Sequence, residues 1–175
     1  MSNTQHNRRD VLCIFGANGM GKTRYVQSRV PEWTRAIFVE GGFESETEFP
    51  GVKADCLRDL MDYLEDNQDG IFRVRYVPTG EEFPIVCDMA AAVGSCALVI
   101  DEADRFLRNR NLEPEFLELI NRGRHFGHID GQGVSLVCIS ANPFDFPIDF
   151  RRQITTAVIF NTAEPNDVEW LAKLF

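Results

Sequence analysis

Apolar runs alternate with amphipathic segments along the chain. Val11–Phe15 is apolar throughout and stops at a glycine, which reads as a buried strand; Thr23–Val30 then reads as a helix ended by Pro31. Arg35–Val39 is a second strand, and the acidic, turn-rich Glu44–Pro50 is a loop. Leu57, Leu60, Met61 and Leu64 recur at helical spacing across Leu57–Glu65, whereas Ile71–Val77 alternates as a strand does. Phe83–Val93 reads as a helix, Ala97–Ile100 as a buried strand, and Pro114–Ile120 as a helix with Phe116, Leu117 and Ile120 on one face. Val134–Ile139 and Thr156–Phe160 complete the strands, and Val168–Phe175 is a final helix.

This alternation predicts an α/β fold with a mostly parallel central sheet and helices on both faces. Strands that are apolar at every position, as at Val11–Phe15 and Ala97–Ile100, belong in a sheet covered on both sides. The 175 residues suffice for one ordinary domain. Residues 11–175 are expected to form it, with residues 1–10 as a flexible polar tail. The sequence shows no internal repeat and no linker.

The first strand runs into Gly16-Ala17-Asn18-Gly19-Met20-Gly21-Lys22-Thr23, which fits G-x-x-x-x-G-K-[ST]. Each part has a physical reason. Glycines let the backbone turn tightly, so that successive N–H groups point inward at phosphate oxygens. The helix that follows presents its positive end to the anion. Lys22 is expected to reach the β- and γ-phosphates of ATP, and the Thr23 hydroxyl to ligate Mg²⁺.

The buried strand Ala97–Ile100 ends in Asp101-Glu102. Carboxylates at the C-terminal end of a parallel strand lie where open α/β sheets bind ligands. Asp101 is expected in the Mg²⁺ shell, and Glu102 is expected to polarise the attacking water. Asp104 extends the run to Asp-Glu-Ala-Asp. Val134–Ile139 runs into Ser140-Ala141-Asn142-Pro143, so Ser140 or Asn142 would face the γ-phosphate; Asn142 is the choice, because its amide both donates and accepts. That holds if this strand lies between the phosphate-loop strand and the acidic strand. The fold expected is a P-loop NTPase of the RecA/ASCE-like kind, which has such an added strand, with the five core strands, numbered along the chain, in the order 5-1-4-3-2 and Ile71–Val77 as an extra edge strand.

Charge changes the picture. Lys and Arg number 18 against 27 Asp and Glu, a net of −9, and 18 of the acids fall within residues 1–104. Residues 105–152 hold seven Arg against six acids. The balance argues against a monomer that wraps nucleic acid by charge alone, but not against a ring exposing a few Arg in its pore. Arg122 and Arg124 are candidates for a cation that a neighbouring subunit supplies to the transition state, with Arg151 and Arg152 behind them. Arg105, Arg108 and Arg110 read as a solvated helix face or a phosphate-tracking stripe. His125 and His128 lack companions for a metal site. Phe144, Phe146 and Phe150 are core or an oligomer contact. Cys13, Cys56, Cys87, Cys96 and Cys138 form no CxxC and read as small hydrophobes in a reducing compartment. No apolar run approaches the roughly 20 residues of a membrane span.

The phosphate loop, the Ile-Asp-Glu strand end and above all Asn121-Arg122-Gly123-Arg124-His125-Phe126-Gly127 before an apolar strand resemble the FtsK–HerA group of DNA-pumping ATPases. Phe38-Val39-Glu40 with Glu44 is similar to that group's second strand and acidic loop, and Phe150-Arg151-Arg152-Gln153 to Phe160 is similar to its last strand. The group often has Gln where Ala141 stands beside Asn142. A motor domain without further domains is similar to the genome-packaging ATPases of membrane-containing icosahedral viruses. That resemblance implies a Mg²⁺-dependent ATPase acting as a homo-oligomeric ring, hexamer or pentamer, that moves double-stranded DNA. It also implies capsid or portal vertex proteins as partners, and a location in the host cytoplasm, the virion, or both. A cellular or plasmid DNA-transfer motor of the same group and a nucleotide-switched assembly ATPase without a DNA track are the alternatives.

Overall fold

The computed structural model describes residues 9–41, 49–107, 112–127, 129, 132–142, 146–161 and 169. Seven parallel strands form one sheet: β1 (Val11–Phe15), β2 (Arg35–Val39), β3 (Val52–Lys53), β4 (Phe72–Tyr76), β5 (Ala97–Ile100), β6 (Ser135–Ser140) and β7 (Thr156–Ile159), in the spatial order β3-β4-β2-β5-β6-β1-β7. The five core strands read β7-β1-β6-β5-β2, which is the 5-1-4-3-2 order. The sheet differs from expectation at one end. The strand expected at the edge, β4, lies inside β3, with Val52 opposite Val74 and Lys53 opposite Arg75. A two-residue strand carries no periodicity from which to read it.

The helices are α1 (Lys22–Arg29), α2 (Leu57–Asp66), α3 (Phe83–Val93), α4 (Asp104–Leu107), α5 (Pro114–Arg122) and α6 (Ile148–Arg151). Successive side chains of a strand point to opposite faces, and the two faces are covered unequally. Val11, Cys13 and Phe15 of β1, Ile37 and Val39 of β2, Leu98 and Ile100 of β5, and Leu136 and Cys138 of β6 join a large core with side chains of α2, α3, α5 and α6. Leu12, Ile14, Phe38, Val99, Val137 and Ile139 point the other way, onto Val26 of α1, Val30 and Phe49. Pro31 falls in a 3₁₀ turn, Val30–Glu32, that closes α1 as the sequence predicts. β4 buries only alternate residues, Phe72, Val74 and Tyr76, as suits its place near the end of the sheet.

Phe146 and Phe150 are core residues. Phe146 lies 5.5 Å from the ring of Phe15, and Phe150 lies 5.7 Å from Phe116. Phe144 lies outside the described residues, as do Arg108, Arg110, His128, the acids Glu44, Glu46 and Glu48, and all of the expected final helix except Glu169. Of the expected tail, residues 1–8 are likewise outside. Arg9 and Asp10 are held against the sheet: Asp10 O accepts from Leu136 N at 2.9 Å, and Arg9 Nη1 donates to Ile120 O. Cys13, Cys87, Cys96 and Cys138 are buried and unoxidised, and burial pushes the Cys96 thiol up to about 12. Among the described residues no helix is long and apolar enough to cross a membrane.

Candidate functional site

The site lies at the C-terminal ends of β1, β5 and β6. Gly16 leaves β1 at φ +147°, Gly19 turns at +77° and Gly21 at +88°, conformations that glycine adopts without steric cost. Gly16 has a second constraint. Its backbone lies on Phe160, which follows β7, and Ala17 N donates to Asn161 O at 3.3 Å. Side chains at Gly19 and Gly21 would meet nothing within 4 Å, so the upper side of the loop is open. Tyr25 N bonds Gly21 O at 2.9 Å and begins α1, whose axis therefore starts at the loop.

Lys22 is buried, and its ammonium donates to Gly16 O at 2.7 Å and Ala17 O at 3.0 Å. Burial lowers its pKa; Asp101, Asp104 and Glu102 act in the opposite direction, so all three acids lie within electrostatic reach of the ammonium. Thr23 Oγ1 donates to Asp101 Oδ2 at 3.3 Å across the intervening strand β6. Burial raises the pKa of Asp101, reinforced by the charge of Glu102, while hydrogen bonds from Glu102 N at 3.0 Å and Thr23 and the charge of Lys22 oppose the rise.

Glu102 has φ +50°, an unfavourable conformation for a residue with a Cβ. It leaves the strand on this bend, and its exposed side chain lies over Gly41 at the end of β2, where any side chain would collide with it. Arg105 Nη1 donates to the carbonyl of the same Gly41. Arg105 is exposed and reaches back to the end of β2, while Arg108 and Arg110 lie outside the described residues.

Ser140 and Asn142 are both present at the end of β6. The buried Ser140 hydroxyl lies 3.3 Å from Asp104 Oδ1, and it accepts from Asn142 N at 3.2 Å. Asp104 therefore belongs to the site, although the sequence marks it only as the end of an acidic run. Its partner stands 36 positions away, so no local pattern could have shown the contact.

Arg122 and Arg124 lie elsewhere. Arg122 ends α5 and pairs with Glu118 at 2.8 Å, with both side chains well exposed. The next residue, Gly123, accepts from Val134 N at 2.8 Å, immediately before β6 begins. The six residues of β6 separate this edge from the phosphate loop, on the order of 20 Å at the usual strand rise. Neither arginine serves the phosphate loop of its own chain. Arg124 Nε donates to His125 Nε2 at 3.1 Å, and no group of three or more potential metal ligands occurs among the described residues. The glycines of the 121–127 segment serve packing: Gly123 sits on the Arg9 guanidinium and Val134 O, and Gly127 on the backbone of Gln132.

Solved structures share this architecture. The genome-packaging NTPase B204 from Sulfolobus turreted icosahedral virus 2, in complex with sulfate, superposes with a TM-score of 0.75 over 95% of this chain and 81% of that one, at 20% identity. The chain has the fold of the FtsK–HerA-type P-loop ATPases. The cytoplasmic domain of EssC follows at TM-score 0.56, 14% identity and 93% of this chain against 33% of that one. The N-terminal domain of zonular occludens toxin from Neisseria meningitidis follows at 0.52, 13% identity and 89% against 79%. B204 has also been solved with ATP-γS and with AMPPCP. No protein-family model and no curated protein matches the chain by sequence.

Proposed function

We propose that this chain hydrolyses ATP and uses the energy to move double-stranded DNA, as a genome-packaging motor assembled as a homo-oligomeric ring. The observation that carries the proposal is the Thr23–Asp101 hydrogen bond. It joins a glycine-rich loop to the acidic end of β5, with a buried lysine among three carboxylates. In support, the fold is that of a protein described as a genome-packaging NTPase.

The amides of residues 16–23 and the start of α1 would receive the phosphates of ATP. The Lys22 ammonium would turn from the loop carbonyls toward the β- and γ-phosphates, offsetting their charge. Thr23 Oγ1 and Asp101 Oδ2 are hard oxygen donors converging on one point, a donor set that suits Mg²⁺, which takes one or two protein ligands beside phosphates and water. When bound there, the ion would supply charge neutralisation at the phosphate oxygens. Glu102 would orient a water and take its proton as the water attacks the γ-phosphorus. Asn142 would contact the γ-phosphate from β6, the Ser140 hydroxyl being turned to Asp104 and to the Asn142 backbone. Because Arg122 and Arg124 sit before the N-terminal end of β6, opposite the phosphate loop, either would reach a γ-phosphate only in a neighbouring copy. Capsid or portal vertex proteins would anchor the ring.

The test is ATP hydrolysis at graded protein concentration, with and without duplex DNA. The rate per chain should rise with concentration and again with DNA. A second reading, an assembly ATPase without a DNA track, is favoured by the net charge of −9; it requires a rate indifferent to DNA. A rate per chain that is flat over a wide concentration range contradicts arginines acting between copies.

A further inference from the structure

We propose that Asp104 is a positioning residue for hydrolysis: by accepting the Ser140 hydroxyl it fixes the end of β6 to the acidic turn, and so sets where Glu102 stands relative to the phosphate loop. The inference rests on the reading that this site turns over ATP.

The topology makes β6 the spacer between the two halves of the site. Its last residue, Ser140, lies opposite Phe15, the residue before Gly16, while Cys138 lies opposite Ile100, the residue before Asp101. Two bonds tie the acidic turn to this spacer. Ala103 N donates to Ile139 O at 2.7 Å, and Ser140 Oγ reaches Asp104 Oδ1 at 3.3 Å. Asp104 is also near enough to favour the charged form of Lys22.

The hydroxyl of Ser140 has one proton and two acceptors within reach, Asp104 Oδ1 and Asn142 O, the latter at 3.2 Å. A carboxylate is the stronger acceptor. With the proton on the Asp104 side, β6 and the acidic turn move as one body. With it on Asn142 O, the turn after β6 closes on itself and the acidic turn loses its Asp104 tie to β6 while the Ala103 bond remains. Glu102, two residues before Asp104 on a strained bend, then loses its fixed distance from the γ-phosphate. Misplacement of a reacting group affects the chemical step steeply. ATP binding relies chiefly on the loop amides and Lys22; Asp104 acts on that lysine through its charge, which Ser140→Ala leaves in place.

The experiment is steady-state ATP hydrolysis by the full chain and by Asp104→Ala, Ser140→Ala, the double variant, Asp104→Asn and Glu102→Gln. Each single alanine variant should lose roughly tenfold in kcat, with KM within about twofold. The double variant should be no slower than either single, because both remove one contact. Asp104→Asn keeps an acceptor oxygen and should recover most of the loss, which a purely electrostatic role of Asp104 would not give; a merely structural role would not confine the loss to kcat. Additive losses in the double variant, a change in KM instead of kcat, or an Asn variant as slow as the alanine overturn the inference. Ser140→Ala removes one oxygen and no charge, and decides by its kcat and KM alone should Asp104→Ala fail to fold. Normal turnover in both alanine variants, with Glu102→Gln inactive, overturns this inference and leaves the ATPase reading standing. A wild-type chain without turnover overturns both.

Discussion

Gly16 is the position where the phosphate loop is most sensitive to a single methyl group. Its φ is +147°, and a Cβ built there would lie 2.6 Å from Phe160 Cβ and 3.2 Å from the Phe160 Cα and carbonyl carbon. Ordinary carbon contacts are about 3.5–4.0 Å. The opposing atoms are backbone and Cβ, so no rotamer change at Phe160 relieves the clash. Overpacking costs about 1–3 kcal/mol, and an unfavourable φ about 1–3 kcal/mol more. Gly16→Ala should therefore destabilise the protein by roughly 2–6 kcal/mol, a large part of the about 5–15 kcal/mol typical of a domain. Gly19→Ala is the matched control: its φ is +77°, but its Cβ meets nothing within 4 Å. It should cost only the backbone strain, about 1–2 kcal/mol. Urea unfolding followed by circular dichroism measures both. Because Phe160→Ala keeps the Cβ that does the blocking, it should not rescue Gly16→Ala. Equal midpoints for Gly16→Ala and Gly19→Ala would show that the loop does not rest on the end of β7, and full rescue by Phe160→Ala would place the clash on the ring instead of on the backbone and Cβ.

Three further outcomes are expected. Burial raises the pKa of Asp101 above the ordinary 3.8, so its ionised form costs folding stability at neutral pH. Asp101→Asn should raise the urea midpoint at pH 7 while abolishing hydrolysis, and the gain should fade as the pH falls through the raised folded value and be gone below the ordinary one, where the wild-type carboxyl is neutral folded and unfolded alike. Arg35, buried at the start of β2, donates to Ser95 O at 3.1 Å and to Gln68 O and Gly70 O at 2.7 Å, and it stacks on Phe72; Arg35→Ala should cost about 3–5 kcal/mol in the same unfolding assay, by leaving those carbonyls unpaired. Arg122→Ala breaks an exposed pair with Glu118 and a cation–π contact with Phe126 at 5.9 Å, so its stability should change by less than about 2 kcal/mol, while ATP turnover at high protein concentration falls; unchanged turnover would remove Arg122 from the list of residues acting between copies.

The parts of this molecule that could be read in advance are those governed by local pattern. Strands β1, β2 and β5 are buried at every position, and an unbroken apolar run is what two covered faces require. The glycine spacing of residues 16–23 reflects backbone angles, a local property, although Gly16 is also constrained by Phe160. β3 escaped because Val52–Lys53 is exposed and too short for a period. The purpose of the glycines in 121–127 escaped for another reason. Gly123 is small because Arg9 and Val134 occupy the adjoining space, a fact of tertiary packing that follows from β1 and β6 being neighbours. The Asp104–Ser140 contact and the seat of Glu102 on Gly41 are of the same kind: each joins residues from different strand ends, and strand order alone brings them together. Phe146 and Phe150 read equally well as core or interface in the sequence, and only the rings of Phe15 and Phe116 beside them decide it.

The central claim is that the loop around Lys22 binds the triphosphate and that Glu102 acts on it from the end of β5. The most direct measurement pairs calorimetric binding of ATP with phosphate release for the wild type, Glu102→Gln and Lys22→Ala. Glu102→Gln should bind ATP as the wild type does and release phosphate at least roughly a hundredfold more slowly, the scale of a lost general base. Lys22→Ala should lose binding. Wild-type turnover in Glu102→Gln, or undiminished ATP binding in Lys22→Ala, would contradict the assignment of this site.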